Sequence, residues 1–272
     1  MASLGQIIFC SMITIIILFL TIIILILSLT FSHNAPSVVT QNTFPVANLG
    51  QDHLLSCQIV DTEETTYTRV SVTWEKTGMQ GFVYRYLYGG PYLENQNPQF
   101  EERTEVFPDA LLRGNASLLL RSVSAEDEGV YTCTIDSATG GGKVNIRLRT
   151  AAYTAPTFTF SKGTMAAVAD RWFPRPNVTW MDHNRKVLQA TTSIQENSVG
   201  IFSVVSNLPQ VTDRETYTLQ IQNKLVTSIS RVQLTDLNVS TSSYFSFSRA
   251  PPTLASVVPS IVAAVACVYL LI

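Results

Sequence analysis

The chain has 272 residues, with 18 Lys and Arg against 20 Asp and Glu and a formal net charge of -2. That balance offers no basic footprint for nucleic acid, and four cysteines in this length do not make a disulfide-dense miniprotein. Hydrophobic residues make up 46%, a figure inflated by apolar runs at both ends. Setting those aside leaves about 220 residues, room for two domains of roughly 100 each.

Residues 7–31 contain no charged side chain. A signal h-region usually runs about 7–15 residues and a membrane span about 20, so length alone allows an uncleaved signal anchor. The small-residue pattern Thr30-Phe31-Ser32, just before polarity returns at His33-Asn34, favours a cleaved signal peptide over residues 1–32. Either reading sends the folded part into the secretory pathway, where disulfides form.

Cys10 and Cys267 fall inside the apolar ends, which leaves Cys57 and Cys133 for the folded part. They are 76 residues apart, and Trp74 follows Cys57 by 17. The run Asp127-Glu128-Gly129-Val130-Tyr131-Thr132-Cys133 places a Tyr two residues before the second Cys. Two cysteines stapling facing sheets, a Trp packed on the bridge and a corner Tyr at that offset are the framework of an immunoglobulin variable-type sandwich. Such a bridge stabilises the fold by roughly 4 kcal/mol in the chain-entropy model.

Within this first domain, residues 36–150, strand-like runs separated by turn signals give strand B over 53–60, C over 70–77 and C′ over 81–88. D follows over 103–107, E over 115–123, F over 129–137 and G over 143–150. Strands between C and D indicate the longer, variable type. Val72, Trp74, Leu118, Leu120, Tyr131 and Cys133 share the inward parity of a period-2 pattern. Arg103 and Asp127 are expected to pair as a structural brace between the start of D and the turn before F, since a bidentate Arg–carboxylate contact fixes geometry. Tyr84, Tyr86 and Tyr88 share one parity on C′. On an exposed face they are candidate receptor-binding anchors, because Tyr is enriched among hot spots; the opposite reading, that this parity points into the core, stays open. Asp136 joins them at the start of an F–G turn over 136–142 whose three glycines predict mobility.

The strand pattern restarts after Thr150, at 157–161, 165–170, 177–181, 200–208, 215–223 and 227–237. Trp172-Phe173-Pro174-Arg175-Pro176 followed by Trp180 reads as the B–C turn and core Trp of a constant-type domain over residues 151–237, with Tyr217 as its corner Tyr. Where the two cysteines belong stand Ala167 and Leu219. Losing such a bridge typically costs about 2–5 kcal/mol, and burying one Leu returns roughly 1.5–3 kcal/mol. This domain is expected to fold, and to be the less stable of the two.

Residues 238–253 read as a Ser/Thr-rich stalk, and 254–272 are apolar with no Lys or Arg behind them. A type I span normally carries basic residues on its cytoplasmic side. The segment therefore reads either as a transmembrane span or as a glycosylphosphatidylinositol signal, with Ser240, Ser242 and Ser243 (and Thr241 between them) as lipid-anchor candidates. Both leave the protein on the external side of the plasma membrane, single-pass or lipid-anchored. Asn115, Asn177 and Asn238 head N-glycosylation sequons.

The run Tyr-Leu-Tyr-Gly-Gly-Pro-Tyr-Leu-Glu at 86–94, then Arg103-Thr104-Glu105-Val106-Phe107 and Gly114-Asn115-Ala116-Ser117-Leu118, together with the Asp127–Cys133 motif, resembles the B7/butyrophilin family of T-cell costimulatory ligands. The likeness spans nearly the whole chain. It implies two tandem immunoglobulin-like β-sandwiches, V-type then C-type, in an all-β chain with apolar segments at both termini. It also implies a protein receptor on T cells and negative regulation of T-cell activation, proliferation and cytokine production. The family usually binds through the front sheet of strands G, F, C and C′. The missing second bridge is the departure.

For catalysis the chain offers little. His33, His53 and His183 are scattered, with no metal-ligand spacing and no Gly-x-Ser-x-Gly elbow. The reading is therefore a binding protein with no cofactor, no metal and no small-molecule substrate. Its rival is a homophilic adhesion glycoprotein, since sandwich folds host both roles.

Overall fold

The computed structural model describes residues 4–32, 37–60, 69–138, 140–235 and 238–249. The C-terminal apolar segment at 254–272 lies outside them. The chain opens with α1 (Leu4–Ser32), a helix with no acidic residue in its first turn and no basic residue in its last. Among the described residues, no helix is long and apolar enough to cross a membrane.

Strands follow as β1 (Ser37–Val39), β2 (Val46–Asn48), β3 (His53–Leu55), β4 (Gln58–Val60), β5 (Ser71–Lys76), β6 (Tyr84–Leu87), β7 (Gly90–Pro91) and β8 (Thr104–Val106). A short helix α2 (Pro108–Leu111) precedes β9 (Leu118–Leu120), β10 (Gly129–Ser137) and β11 (Gly140–Ala151). The described backbone forms two compact units, one drawn from residues 4–43, 52–122 and 129–147, the other from 44–51, 123–128 and 148–249.

In the first unit β3, β9 and β8 form one sheet, and β10, β5, β6 and β7 lie in order in the facing one beside β11. Alternation decides the faces: Val72, Trp74, Tyr131, Cys133 and Ile135 are fully buried, as are Leu118 and Leu120 opposite them. The Cys57–Cys133 disulfide is formed, with Cα atoms 6.5 Å apart. Trp74 donates its indole N–H to the Ala116 carbonyl at 3.0 Å, so its one polar atom is satisfied in the core. The B strand is interrupted at Ser56-Cys57, where β3 and β4 pair with different partners, β9 and β1. Gly141 lies inside β11, where a Cβ would strike the Ile135 carbonyl oxygen. The predicted mobile glycine turn is instead mostly strand, because glycine lets the two backbones approach.

The second unit carries β12 (Thr157–Ser161), β13 (Thr164–Trp172), β14 (Asn177–Met181), β15 (Val187–Leu188), β16 (Thr191–Glu196), β17 (Phe202–Leu208), β18 (Thr216–Gln222), β19 (Val226–Thr235) and β20 (Asn238–Phe247). One sheet has the order β12-β13-β17-β16 and the other β15-β14-β18-β19-β20. Trp172, Trp180, Leu219, Val232 and Ala167 are each 1% exposed or less. Ala167 and Leu219 thus sit in the apolar core that also holds Trp180, and Leu219 is the cross-strand partner of Trp180. The Trp180 indole donates to Ser206 Oγ at 2.9 Å, and Tyr217 closes a tyrosine corner by accepting from the Thr212 amide at 2.9 Å.

The stalk reading fails over its first ten residues. β20 pairs with β19 without a break from Val226↔Phe247 to Thr235↔Asn238. Phe245 and Phe247 pack on Tyr153, with ring centroids 4.9 and 5.6 Å away, and Ser243 donates to Ser230 Oγ at 2.8 Å. Burial pushes the Tyr153 phenol above its usual pKa.

Candidate functional site

The sheet of β6, β5, β10 and β11 turns one face to the core and the other outward. Register places Asp136 beside Ser71, Thr134 beside Thr73 and Thr132 beside Glu75, and Thr73 in turn beside Arg85 on β6. Lys143, Asn145 and Arg147 project on the outward parity of β11. Thr132 Oγ1 donates to Asn145 Oδ1 at 2.9 Å, and the Arg85 guanidinium lies 4.5 Å from the Phe82 ring centroid. Short hydroxyl side chains and charges of both signs make this face flat, polar and electrically mixed.

At the end of β6 the surface changes character. Leu87 pairs with Gly90, so Tyr88 and Gly89 form a two-residue turn, with φ of 54° and 85°. Positive φ at both positions is the mirror-image turn that matches strand twist, and it favours Asn, Asp or Gly at the first position. Here that position holds a Tyr, 98% exposed. Beside it opens a groove of about 810 Å³, walled by Leu87 and Tyr88 on one side and Pro108, Leu111 and Leu112 of the α2 region on the other, with Arg69 also lining it.

An "Immunoglobulin V-set domain" profile matches residues 40–150. The "V-set domain-containing T-cell activation inhibitor 1" of Rattus norvegicus is 35% identical over 249 residues, covering 88% of this chain and 87% of that protein. Its Homo sapiens counterpart is 33% identical over 248 residues with the same coverage. A crystal structure of the human B7-H4 IgV-like domain is 33% identical, covers 42% of this chain and 96% of its own, and has a TM-score of 0.38. The chain belongs to the B7 family.

Against that B7 frame, the predicted anchors separate. Tyr84 and Tyr86 are 6% and 8% exposed. They stand opposite Trp74 and Val72 on β5, and residues directly opposite share a face. Tyr84 is therefore core, and burial pushes its phenol up; Tyr86 is buried as well and reaches the surface only where it lines that groove. Tyr88, one step past the strand, is free of that constraint, and Asp136 is exposed on the front sheet. The groove residues Arg69, Leu111 and Leu112 were missed. The signal for the turn was present in Tyr88-Gly89-Gly90, whereas nothing local ties α2 to it.

The framework residues lie as follows. Trp74, Tyr131 and Asp127 are fully buried. Asp127 accepts from the Ser124 amide at 2.8 Å, and the Arg103 guanidinium donates to the carbonyls of Gln99, Arg121 and Ser122. Asn177 and Asn238 are exposed at the first positions of β14 and β20. Asn115 is half-buried, its Oδ1 accepting from the Ser117 amide and hydroxyl at 3.1 and 2.6 Å. Ser240, Ser242 and Ser243 stand inside β20. Lipid attachment there would sever the strand before Phe245 and Phe247, the residues that hold it to Tyr153, so these serines are poor attachment sites. His53 is half-buried, and that burial pushes its imidazole below the ordinary 6.5. Among the described residues no group of three or more His, Cys, Asp or Glu is placed to hold a metal.

Proposed function

We propose that the chain is a cell-surface ligand that engages a protein receptor on T cells and restrains their activation, proliferation and cytokine production. The observation that carries this reading is 35% identity over 88% of the chain, and 87% of the relative's length, to a protein named for inhibiting T-cell activation. The exposed front sheet, with Asp136 and the Tyr88 turn at its end, is the contact surface in this reading. A signal sequence at the N terminus and an apolar anchor at 254–272 present the protein outward.

The test is division of receptor-stimulated T cells co-cultured with cells displaying the full chain. Reduced division is the expected outcome, and enhanced division would overturn the inhibitory sign. Release from those cells by a phosphatidylinositol-specific phospholipase separates a lipid anchor from a membrane span.

A further inference from the structure

We infer that the groove between the Tyr88 turn and the α2 region is the energetic anchor point for the receptor. It takes an apolar side chain of the partner protein that is flanked by an acidic residue facing Arg69. This rests on the reading of the chain as a receptor ligand and adds where on the domain the affinity resides and what chemistry the partner must offer.

Three observations converge on the groove. The first is energetic contrast: binding energy concentrates on desolvated aromatic and aliphatic anchors, while hydroxyls and mixed rim charges contribute complementarity. The front sheet offers Thr73, Thr132 and Thr134, all polar and short. The groove instead has Leu111, 2% exposed, beneath rims formed by Leu112 at 49% and Tyr88 at 98%. Its volume of about 810 Å³ lies in the range of pockets that bury a ligand group.

The second is conformational. Among the described residues, nine non-glycine residues have positive φ; Tyr88 is the only aromatic one, and Arg69 is another. Holding an L-residue there crowds its Cβ against the backbone, and Asn, Asp or Gly would suit the turn better. A ring left 98% exposed recovers nothing from the fold to offset that cost. Local strain at an exposed site is commonly retained where a partner uses the side chain. A two-residue turn also fixes the ring's position in advance, which lowers the ordering cost of binding.

The third is charge. Among the described residues lining the groove, Arg69, exposed, is the one Lys, Arg, Asp or Glu. A carboxylate on the incoming segment complements it, steering association and rejecting basic segments.

The test uses the full chain in lipid nanodiscs, with a random phage-displayed peptide library as probe. Enriched peptides are expected to carry an apolar residue next to Asp or Glu and to lose about ten-fold or more in affinity on Leu112→Glu. Arg69→Glu should abolish the acidic preference. Peptides that bind Leu112→Glu as well as the parent, that show no acidic bias, or an empty selection would each overturn the inference. In parallel, particles bearing the full chain are applied to stimulated T cells. Tyr88→Asn should cut staining by about ten-fold while its melting temperature stays level or rises, because Asn suits the turn. Parent staining with Tyr88→Asn and Leu112→Glu unaffected would sink the groove and leave the T-cell reading standing. A parent that fails to stain would sink that reading, and the peptides then decide the groove alone. Self-association of the full chain that Tyr88→Asn abolishes would make a second copy the occupant and overturn the partner assignment.

Discussion

The two sandwiches share a plan and differ in how its centre is fastened. The first has a disulfide between Cys57 and Cys133, with Trp74 fully buried and hydrogen-bonded to a backbone carbonyl. The second keeps the Trp and the corner Tyr, but its centre is Ala167 and Leu219 beside Trp180. The sheets still form and the core still closes. The bridge is therefore separable from the fold: alternation and the buried aromatics specify the architecture, and the covalent link adds stability to it.

That contrast can be broken most severely at the bridge itself. Reduction, or Cys57→Ala with Cys133→Ala, should cost the first sandwich roughly 4 kcal/mol. In calorimetry its transition should fall sharply while that of the second stays in place; a joint shift of both would refute the separation. Leu219→Ala is the mirror experiment. It empties a fully buried site and should cost about 3 kcal/mol, moving only the second transition. Ala167→Cys with Leu219→Cys tests whether the missing link can be restored. A gain of about 2 kcal/mol, read from the denaturation midpoint, would show that the geometry for a bridge persists, and no gain would show that the core has repacked around the leucine.

The smallest effect is a pH dependence confined to the first unit. Burial holds the folded pKa of His53 below its ordinary 6.5, so the unfolded chain binds the proton first. The stability contributed by the neutral imidazole is complete above pH 6.5 and is lost as pH falls through the lower, folded pKa. The first transition should therefore drop in mildly acidic buffer, and His53→Gln should flatten the drop.

Much of this was readable before any coordinates, and the reasons differ by element. β10, β12 and β14 begin and end where alternation and turn residues place them. β16 was not seen, because an edge strand with five of six residues exposed has no apolar face to announce it. β20 was read as stalk for a related reason: its stability comes from a ten-pair ladder to β19 and from Tyr153, none of which is local. Tyr84, Tyr86 and Tyr88 alternate along the C′ run with a mixed set, Val83, Arg85 and Leu87, so neither parity stands out as apolar. Only the cross-strand register against Trp74 assigns the inward face, and register is a property of the assembled sheet. The groove was hidden for the same reason, since Arg69, Tyr88 and Leu112 are distant in sequence and meet through the fold.

β20 also governs how the protein can be handled as a soluble reagent. A recombinant ectodomain ending at Thr235 would leave all ten residues of β19 as a bare edge, the apolar Val226, Ile229, Val232 and Leu234 among them. An uncapped strand of that length is a template for pairing between chains. Secretion yield and monodispersity should therefore be good for a chain carried through Ser248 and poor for one cut before Asn238.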